Sequence, residues 1–255
     1  MIFNYYIAKI SASGCFLDLR INDVPLVMQN IKGNYSAGIP FNFLIEKSGM
    51  QTLSLSVLPI LGQLSAKGAN CDVEIWKYDG TQYELAPIEM VTSLSIDIKD
   101  EVIPVKTLNR IFLADVAYQI NRWNNCISLE KNNSLTSEVM SFYKRVAKLL
   151  AEKKYDSFIS LIHNRESKIC TALALDNENV DKRNTMLFHY LDNGFEPCEL
   201  KGGKMIRFFA NKRLVSILDS DFQSALKFRN SETRETIAVE LLLGKENGSQ
   251  KLSVI

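Results

Sequence analysis

A chain of 255 residues, 46% hydrophobic and 23% charged, has the make-up of an ordinary folded protein, either one large domain or two average ones. That balance excludes a disordered or collagen-like chain, and no apolar run reaches the roughly 18 residues that a membrane-spanning helix needs. The net charge is +1, with 7 Lys+Arg against 11 Asp+Glu in residues 1–105 and 23 against 18 in the rest, an imbalance too mild for a nucleic-acid surface.

The N-terminus, Met1-Ile-Phe-Asn-Tyr-Tyr-Ile7, has neither the basic start nor the long apolar core of a leader, and it reads as a first strand. Phe3–Ile10 is rich in aromatic and β-branched residues, and Ser11-Ala-Ser-Gly14 reads as a turn. The next stretch, Phe16 to Val27, organises the first half. Leu17, Leu19 and Ile21 alternate with Phe16, Asp18 and Arg20, the period of a strand with one buried face. Asn22-Asp23 then tolerates the left-handed backbone of a tight turn, and Pro25 suits an edge strand. Gly33 to Gly38 reads as a loop. Gln51 to Leu58 is the clearest strand, with Leu53, Leu55 and Val57 on one face and Thr52, Ser54 and Ser56 on the other. Cys71 to Tyr78 repeats the alternation, Asp79-Gly80 predicts a tight hairpin before Tyr83, and Val91 to Ile98 predicts another strand. Six or more short strands between turns predict an all-β sandwich over residues 1–105.

Two segments carry a resemblance. Leu19-Arg-Ile-Asn-Asp-Val-Pro-Leu-Val27, and then the run from Ile39 to Val57 with Leu44, Lys47, Gly49 and Leu53, look like a pattern of galactose-binding-like jelly rolls. Asp23 stands where that pattern usually has Gly. The resemblance implies a jelly-roll-like sandwich; such domains bind sugars or are purely structural.

Residues 106–133 read as a linking strand and turn. Phe112, Ala114, Val116 and Tyr118 alternate, and Trp123-Asn-Asn-Cys126 supplies an aromatic anchor that reads as packing between domains. At Ser134 the period changes from 2 to 3.6. Leu135, Val139, Phe142, Val146, Leu149 and Leu150 make one helical stripe, with Ser134 as the expected N-cap. A second helix starts near Tyr155, with Phe158, Ile159, Ile162, Ile169 and Leu173 inward and an interruption near Asn164. A third, capped by Asp176-Asn177, carries Val180, Leu187 and Leu191 and ends at Gly194 as the C′ residue. Strands follow: Lys204–Ala210 and Arg213–Leu218 joined at Asn211-Lys212, then Ser224–Arg229, Glu235–Leu243 and Gln250–Ile255. Helices followed by antiparallel strands predict an α+β domain over 134–255, and the chain as a whole an α+β protein of two domains. The run from Phe142 to Asn164 resembles the opening helices of cystatin-like, nuclear transport factor-like domains, which implies a cone-shaped fold.

Chemistry-bearing side chains are scattered. The five cysteines, Cys15, Cys71, Cys126, Cys170 and Cys198, are odd in number and form no CxxC pair, so they read as buried free thiols of a reducing compartment. The expected location is accordingly the cytoplasm, or the periplasm if a leader has been removed. His163 and His189 are the only histidines, and His163 with Asp156 or Glu166 is the sharpest catalytic candidate. No nucleophile, Walker, GxGxxG or paired-His metal motif is present, and no cofactor is expected. Asp219-Ser-Asp221 lacks the rest of a calcium loop and reads as a turn.

Lys201, Lys204, Arg207, Lys212, Arg213, Lys227 and Arg229 give the terminal strands a basic edge, either a solvated face or a contact surface for an acidic protein partner. The expectation is a non-catalytic protein-binding module, with neither nucleic acid nor membrane insertion. The layout, Trp123-Asn-Asn-Cys126 and the ending Leu252-Ser-Val-Ile255 resemble bacterial two-domain immunity proteins, which implies neutralisation of a secreted toxin by stoichiometric binding. Two alternatives stand beside it. One is a carbohydrate or small-ligand site lined by Tyr35, Trp76 or Tyr83. The other is a cone-fold enzyme using His163.

Overall fold

The computed structural model describes residues 3–81, 84–176, 184–200 and 203–255. The chain forms two compact units, Met1–Ile120 with Ala172–Ala174, and Asn121–Thr171 with Leu175–Ile255. It is mostly β, with a large curled sheet first, helices next and antiparallel strands last, an α+β arrangement. Among the described residues no helix is long and apolar enough to cross a membrane.

The first unit is organised by a long hairpin. β1 (Asn4–Ile21) and β2 (Val24–Pro40) pair antiparallel through the two-residue turn, where Asn22 has φ 54° and Asp23 φ 61°. Two consecutive left-handed residues match the right-handed twist of the flanking strands. The Asn22 side chain also ties the turn to the next strand. Its Nδ2 donates to the Leu44 carbonyl at 2.9 Å and to Gln51 Oε1 at 2.8 Å, and its Oδ1 accepts from the Thr52 N–H at 3.0 Å.

One edge of β1 follows β2 from Ile7 to Ile21. The other edge is shared: Asn4 to Ser13 pair with β4 (Asn70–Asp79), and Phe16 to Ile21 pair with β3 (Gly49–Leu58). The expected turn at Ser11–Gly14 is therefore a bend inside one strand. Gly14 takes φ 65°, the register against β2 shifts between Ser13 and Cys15, and hydrogen bonding continues on both sides. The expected loop at Gly33–Gly38 is likewise strand. It is small and polar because, among the described residues, β2 pairs only with β1 and its outer edge stays open.

β5 (Ala86–Asp97) lies outside β4, and β6 (Lys106–Ala114) lies outside β3. Two expectations change here. β5 starts earlier than Val91, and Asp79 pairs with Ala86, so the connection runs past a tight Asp79-Gly80 turn; Asp79 Oδ1 caps it by accepting from the Thr81 N–H at 2.9 Å. Residues 106–114 are no linker but the sixth strand of this sheet, registered on β3 from Val57↔Lys106 to Gly49↔Ala114. The half carrying β4 and β5 and the half carrying β3 and β6 share the hairpin, and their inner faces are apolar as the alternation predicts: Leu17, Leu19, Ile21, Leu53, Leu55, Val57, Cys71, Val73 and Ile75 are fully buried. Buried Asn42 satisfies its amide across the chain, accepting from the Tyr6 N–H at 2.7 Å and donating to the Asn4 carbonyl at 2.9 Å.

The second unit opens with helix α1 (Asn133–Ala151). Its cap is Asn132, not Ser134: the extended backbone of Asn132 lets its Oδ1 accept from the Leu135 N–H at 2.8 Å. Leu135, Val139, Phe142, Val146 and Leu150 are buried in the predicted stripe, with Leu149 half-buried. Buried Tyr143 adds a polar anchor. Its hydroxyl lies 2.9 Å from Ser216 Oγ and 3.1 Å from the Leu241 carbonyl, and it accepts from the Ile217 N–H at 3.1 Å. Helix α2 (Tyr155–Ala172) runs without interruption through Asn164 and buries Phe158, Ile162 and Ile169. Helix α3 (Thr185–Asp192) buries Leu191 and ends at Gly194, φ 83°, in the expected C′ role. The expected cap Asn177 and inward Val180 lie outside the described residues.

The strands form two small antiparallel sheets. One holds β7 (Phe195–Pro197), β10 (Lys227–Asn230) and β11 (Thr236–Ala238), with β10 central. The other holds β8 (Met205–Phe209), β9 (Leu214–Leu218), β12 (Leu243–Gly244) and β13 (Ser253–Val254). Asn211-Lys212 joins β8 to β9 as expected, within three successive left-handed residues from Ala210 to Lys212. Phe158, Ile162, Val215, Ile217, Phe228 and Leu243 are the fully buried centre of one core.

Candidate functional site

The catalytic candidates do not converge. His163 is exposed on α2, Asp156 is exposed at the start of the same helix, and Glu166 is buried with its carboxylate held by Arg165, Nη2 to Oε1 at 2.6 Å. His189 is exposed on α3, its Nδ1 3.3 Å from Asn193 Nδ2. Four of the cysteines are buried and Cys198 is half-buried, all free thiols. Burial pushes the Cys15 thiol up to about 11 and the Cys71 thiol up to about 12, which keeps both protonated and poorly nucleophilic. Among the described residues no group of three or more His, Cys, Asp or Glu side chains is placed to hold a metal ion.

The basic residues are divided between the two small sheets. Arg207, on β8, lies over the Phe222 ring at 5.3 Å; Lys212 is exposed in the β8–β9 turn; Arg213 donates to Asn124 Oδ1 at 2.8 Å. Arg229 is exposed on β10, and Lys227 on the same strand forms a salt bridge with Asp219. Lys204 is half-buried, and Lys201 lies outside the described residues. Three of these cations thus have local roles. The Asp219 segment is the expected turn, with Oδ1 accepting from the N–H groups of Asp221 at 2.9 Å and Gln223 at 3.1 Å.

Burial pushes the Asp219 carboxyl up, but Lys227 and the two N–H groups pull it down further, and the balance lies below the ordinary value. A group depressed on folding adds stability that is complete above its unfolded pKa and fades as pH falls through its folded one. The melting temperature is therefore expected to drop as pH falls below about 4, and Asp219→Asn to flatten that slope. Thermal melts of both proteins between pH 6 and pH 3 check it; equal slopes would contradict it.

Two outer faces of the first sheet have features of a binding surface. On the β3–β6 half, Met50 stands opposite Leu113 and Thr52 opposite Ile111. Met50, Ile111 and Leu113 are 68%, 60% and 65% exposed, a contiguous apolar group on β3 and the adjoining edge strand β6, bordered by Ser54, Ser56, Thr107 and Asn109. The signal was present in Ile111-Phe-Leu113, where both faces of the strand are apolar although only one can enter the core. On the other half, Lys9, Ser11, Ser36, Gly38, Asp72 and Glu74 line a groove of about 440 Å³. Trp76 stands half-buried beside it; Tyr35 pairs with Ala12, in register with the opposite face; Tyr83 lies outside the described residues. Trp123, in the second unit, is buried, with the Arg122 guanidinium 5.1 Å from its ring.

No protein-family model matches the chain, no curated protein matches it, and no solved structure matches it.

Proposed function

We propose that this chain is a non-catalytic binding protein that acts by stoichiometric capture of a protein partner, in the manner of a bacterial immunity protein covering a secreted toxin in the cytoplasm, or in the periplasm. The observation that supports it is the Met50–Ile111–Leu113 group. Three large apolar side chains held out by a rigid sheet and rimmed by short polar ones have the anatomy of an interface anchor. Among the described residues β6 pairs only with β3, so its other edge has backbone donors and acceptors not used in the sheet. The finer readings of the fold go with this proposal: a jelly-roll-like first unit, supported by the two half-sheets sharing one hairpin, and a cone-like second unit, supported by helices preceding antiparallel strands.

The test is co-expression with the product of a neighbouring toxin-sized reading frame, followed by calorimetric titration. A tight one-to-one complex is expected. Ile111→Asp with Leu113→Asp should weaken it at least tenfold at an unchanged melting temperature, and Lys212→Glu with Arg229→Glu should leave it intact. Weakening by the charge reversals alone would move the contact to the basic residues of the second unit. Absence of any complex would refute the reading.

A further inference from the structure

The free edge of β2 has an unusual make-up. Among the described residues β2 pairs only with β1, and from Gly33 to Ile39 it carries no charged side chain and no proline. Exposed edges are ordinarily blunted by charge, proline or a bulge, because their free backbone groups template a further strand. Here those devices bracket the segment and leave its middle unguarded. Pro40 follows it, and Lys32-Gly33 begins it as a bulge against Gly14, where the register steps from Ser13↔Asn34 to Cys15↔Ile31. From Asn34 to Pro40 the pairing with β1 is continuous.

The inner face of this edge is incompletely covered. Tyr35, Ala37 and Ile39 stand beside Ala12, Ile10 and Ala8 of β1; the β1 residues are buried, the β2 residues only half-buried. On the outer face Asn34, Ser36 and Gly38 are exposed. One hydrogen bond sets the phase of the backbone. The Phe41 N–H donates to the Tyr6 carbonyl at 3.0 Å, so in an antiparallel ladder the alternate positions Ile39, Ala37 and Tyr35 turn their N–H and C=O groups toward β1. Asn34, Ser36 and Gly38 turn theirs away from the sheet. Pro40 shares that outward phase, where its missing N–H costs β1 nothing.

We propose that a second copy of this chain adds its own β2 at this edge, antiparallel about a two-fold axis at Ser36, so that two first units share one continuous sheet. The segment is self-complementary in that register. Asn34 and Gly38 of one copy exchange N–H···O bonds with Gly38 and Asn34 of the other, and Ser36 with Ser36, which uses the outward-turned positions and leaves Pro40 beyond the ladder. On the inner face each large side chain meets a small one, Tyr35 opposite Ala37 and Ile39 opposite Gly33, so each edge covers the half-buried surface of the other. A two-fold contact requires this reciprocity. Charge agrees with it. Lys32 falls opposite Pro40, so no like charges face each other across the axis. The Asp72 carboxylates, in the row of Ser11 and Ser36, end five strand spacings apart, about 24 Å or about three Debye lengths at physiological salt. A strongly acidic or basic foreign strand would find no opposite charge on this segment, whereas the uncharged copy needs none. The contact uses neither β3 nor β6, so it does not depend on the protein partner proposed above.

Sedimentation velocity of the full chain from about 1 to about 200 µM tests it. One strand pair is a small interface, so a monomer–dimer equilibrium within that range is expected. Ser36→Lys and Ser36→Glu, at an exposed position, should each weaken the dimer at least tenfold at an unchanged melting temperature, because like charges then meet on the axis. An equimolar mixture of the two variants should recover it as a heterodimer, and Ile111→Asp should leave it intact. A chain monomeric at every concentration, a dimer indifferent to both Ser36 substitutions, a mixture that stays monomeric, or a dimer lost in the Ile111→Asp protein would each overturn the assignment.

Discussion

Replacing Asn22 by valine is expected to destabilise the first unit by about 3–5 kcal/mol, since a β-branched residue in the left-handed region costs about 1–2 kcal/mol and lost partly buried hydrogen bonds about 1 kcal/mol each. Asn22 sits at φ 54° and makes three such bonds, to the Leu44 carbonyl, the Gln51 amide and the Thr52 N–H. The turn and the start of β3 are thus held by one side chain. Asn22→Gly separates the two effects, because glycine accepts the backbone angle and loses only the bonds. Its loss should fall between wild type and valine. Urea titration followed by Trp76 fluorescence in a Trp123→Phe background reads the first unit alone. A valine variant within 1 kcal/mol of the glycine variant would mean that backbone strain contributes little.

Phe228→Ala is expected to destabilise the second unit by about 3–5 kcal/mol, the usual range for removing a fully buried phenylalanine. Phe228 is central in its sheet, opposite Ile237 on β11 and Pro197 on β7, with 0% of its surface exposed. It belongs to the same core as Phe158, Tyr143 and Ile217, which come from α2, α1 and β9. A ring-sized void at that point cannot be closed by one side chain turning. Phe208, half-buried at the margin of the same core, is the control, and Phe208→Ala should cost less than half as much. Denaturation followed by Trp123 fluorescence in a Trp76→Phe background gives both values; equal losses would show that Phe228 is not at the centre of the core.

What could be read from residue order alone is what depends on short range. The left-handed pair Asn22-Asp23, the burial of Leu53, Leu55 and Val57, the helical stripe from Leu135 to Leu150 and the stop at Gly194 follow from backbone preference and period, which neighbours a few residues apart decide. Readings that turned on a single residue type were less secure. Gly14 looked like the end of a strand and is a bend within one, and the small residues of Gly33–Gly38 looked like a loop and form an edge strand. In both places backbone hydrogen bonds to a distant partner overrode local propensity. Asn132 rather than Ser134 caps α1 because both residue types can cap, and only the backbone angle at the junction selects between them.

The candidate surfaces belong to the other kind of information. Chain order determined that Ser11, Asp72 and Ser36 are polar and that Ile111 and Leu113 are apolar, and alternation determined which of their neighbours go inward. Only the tertiary structure set Lys9 between Gly38 and Glu74, and Met50 opposite Leu113. Strand pairing joins residues dozens of positions apart, and a period of two is the same whichever strand lies alongside. Which faces of the first unit are buried was therefore written in the order of its residues, while what those faces present to a partner was decided by which strands became neighbours.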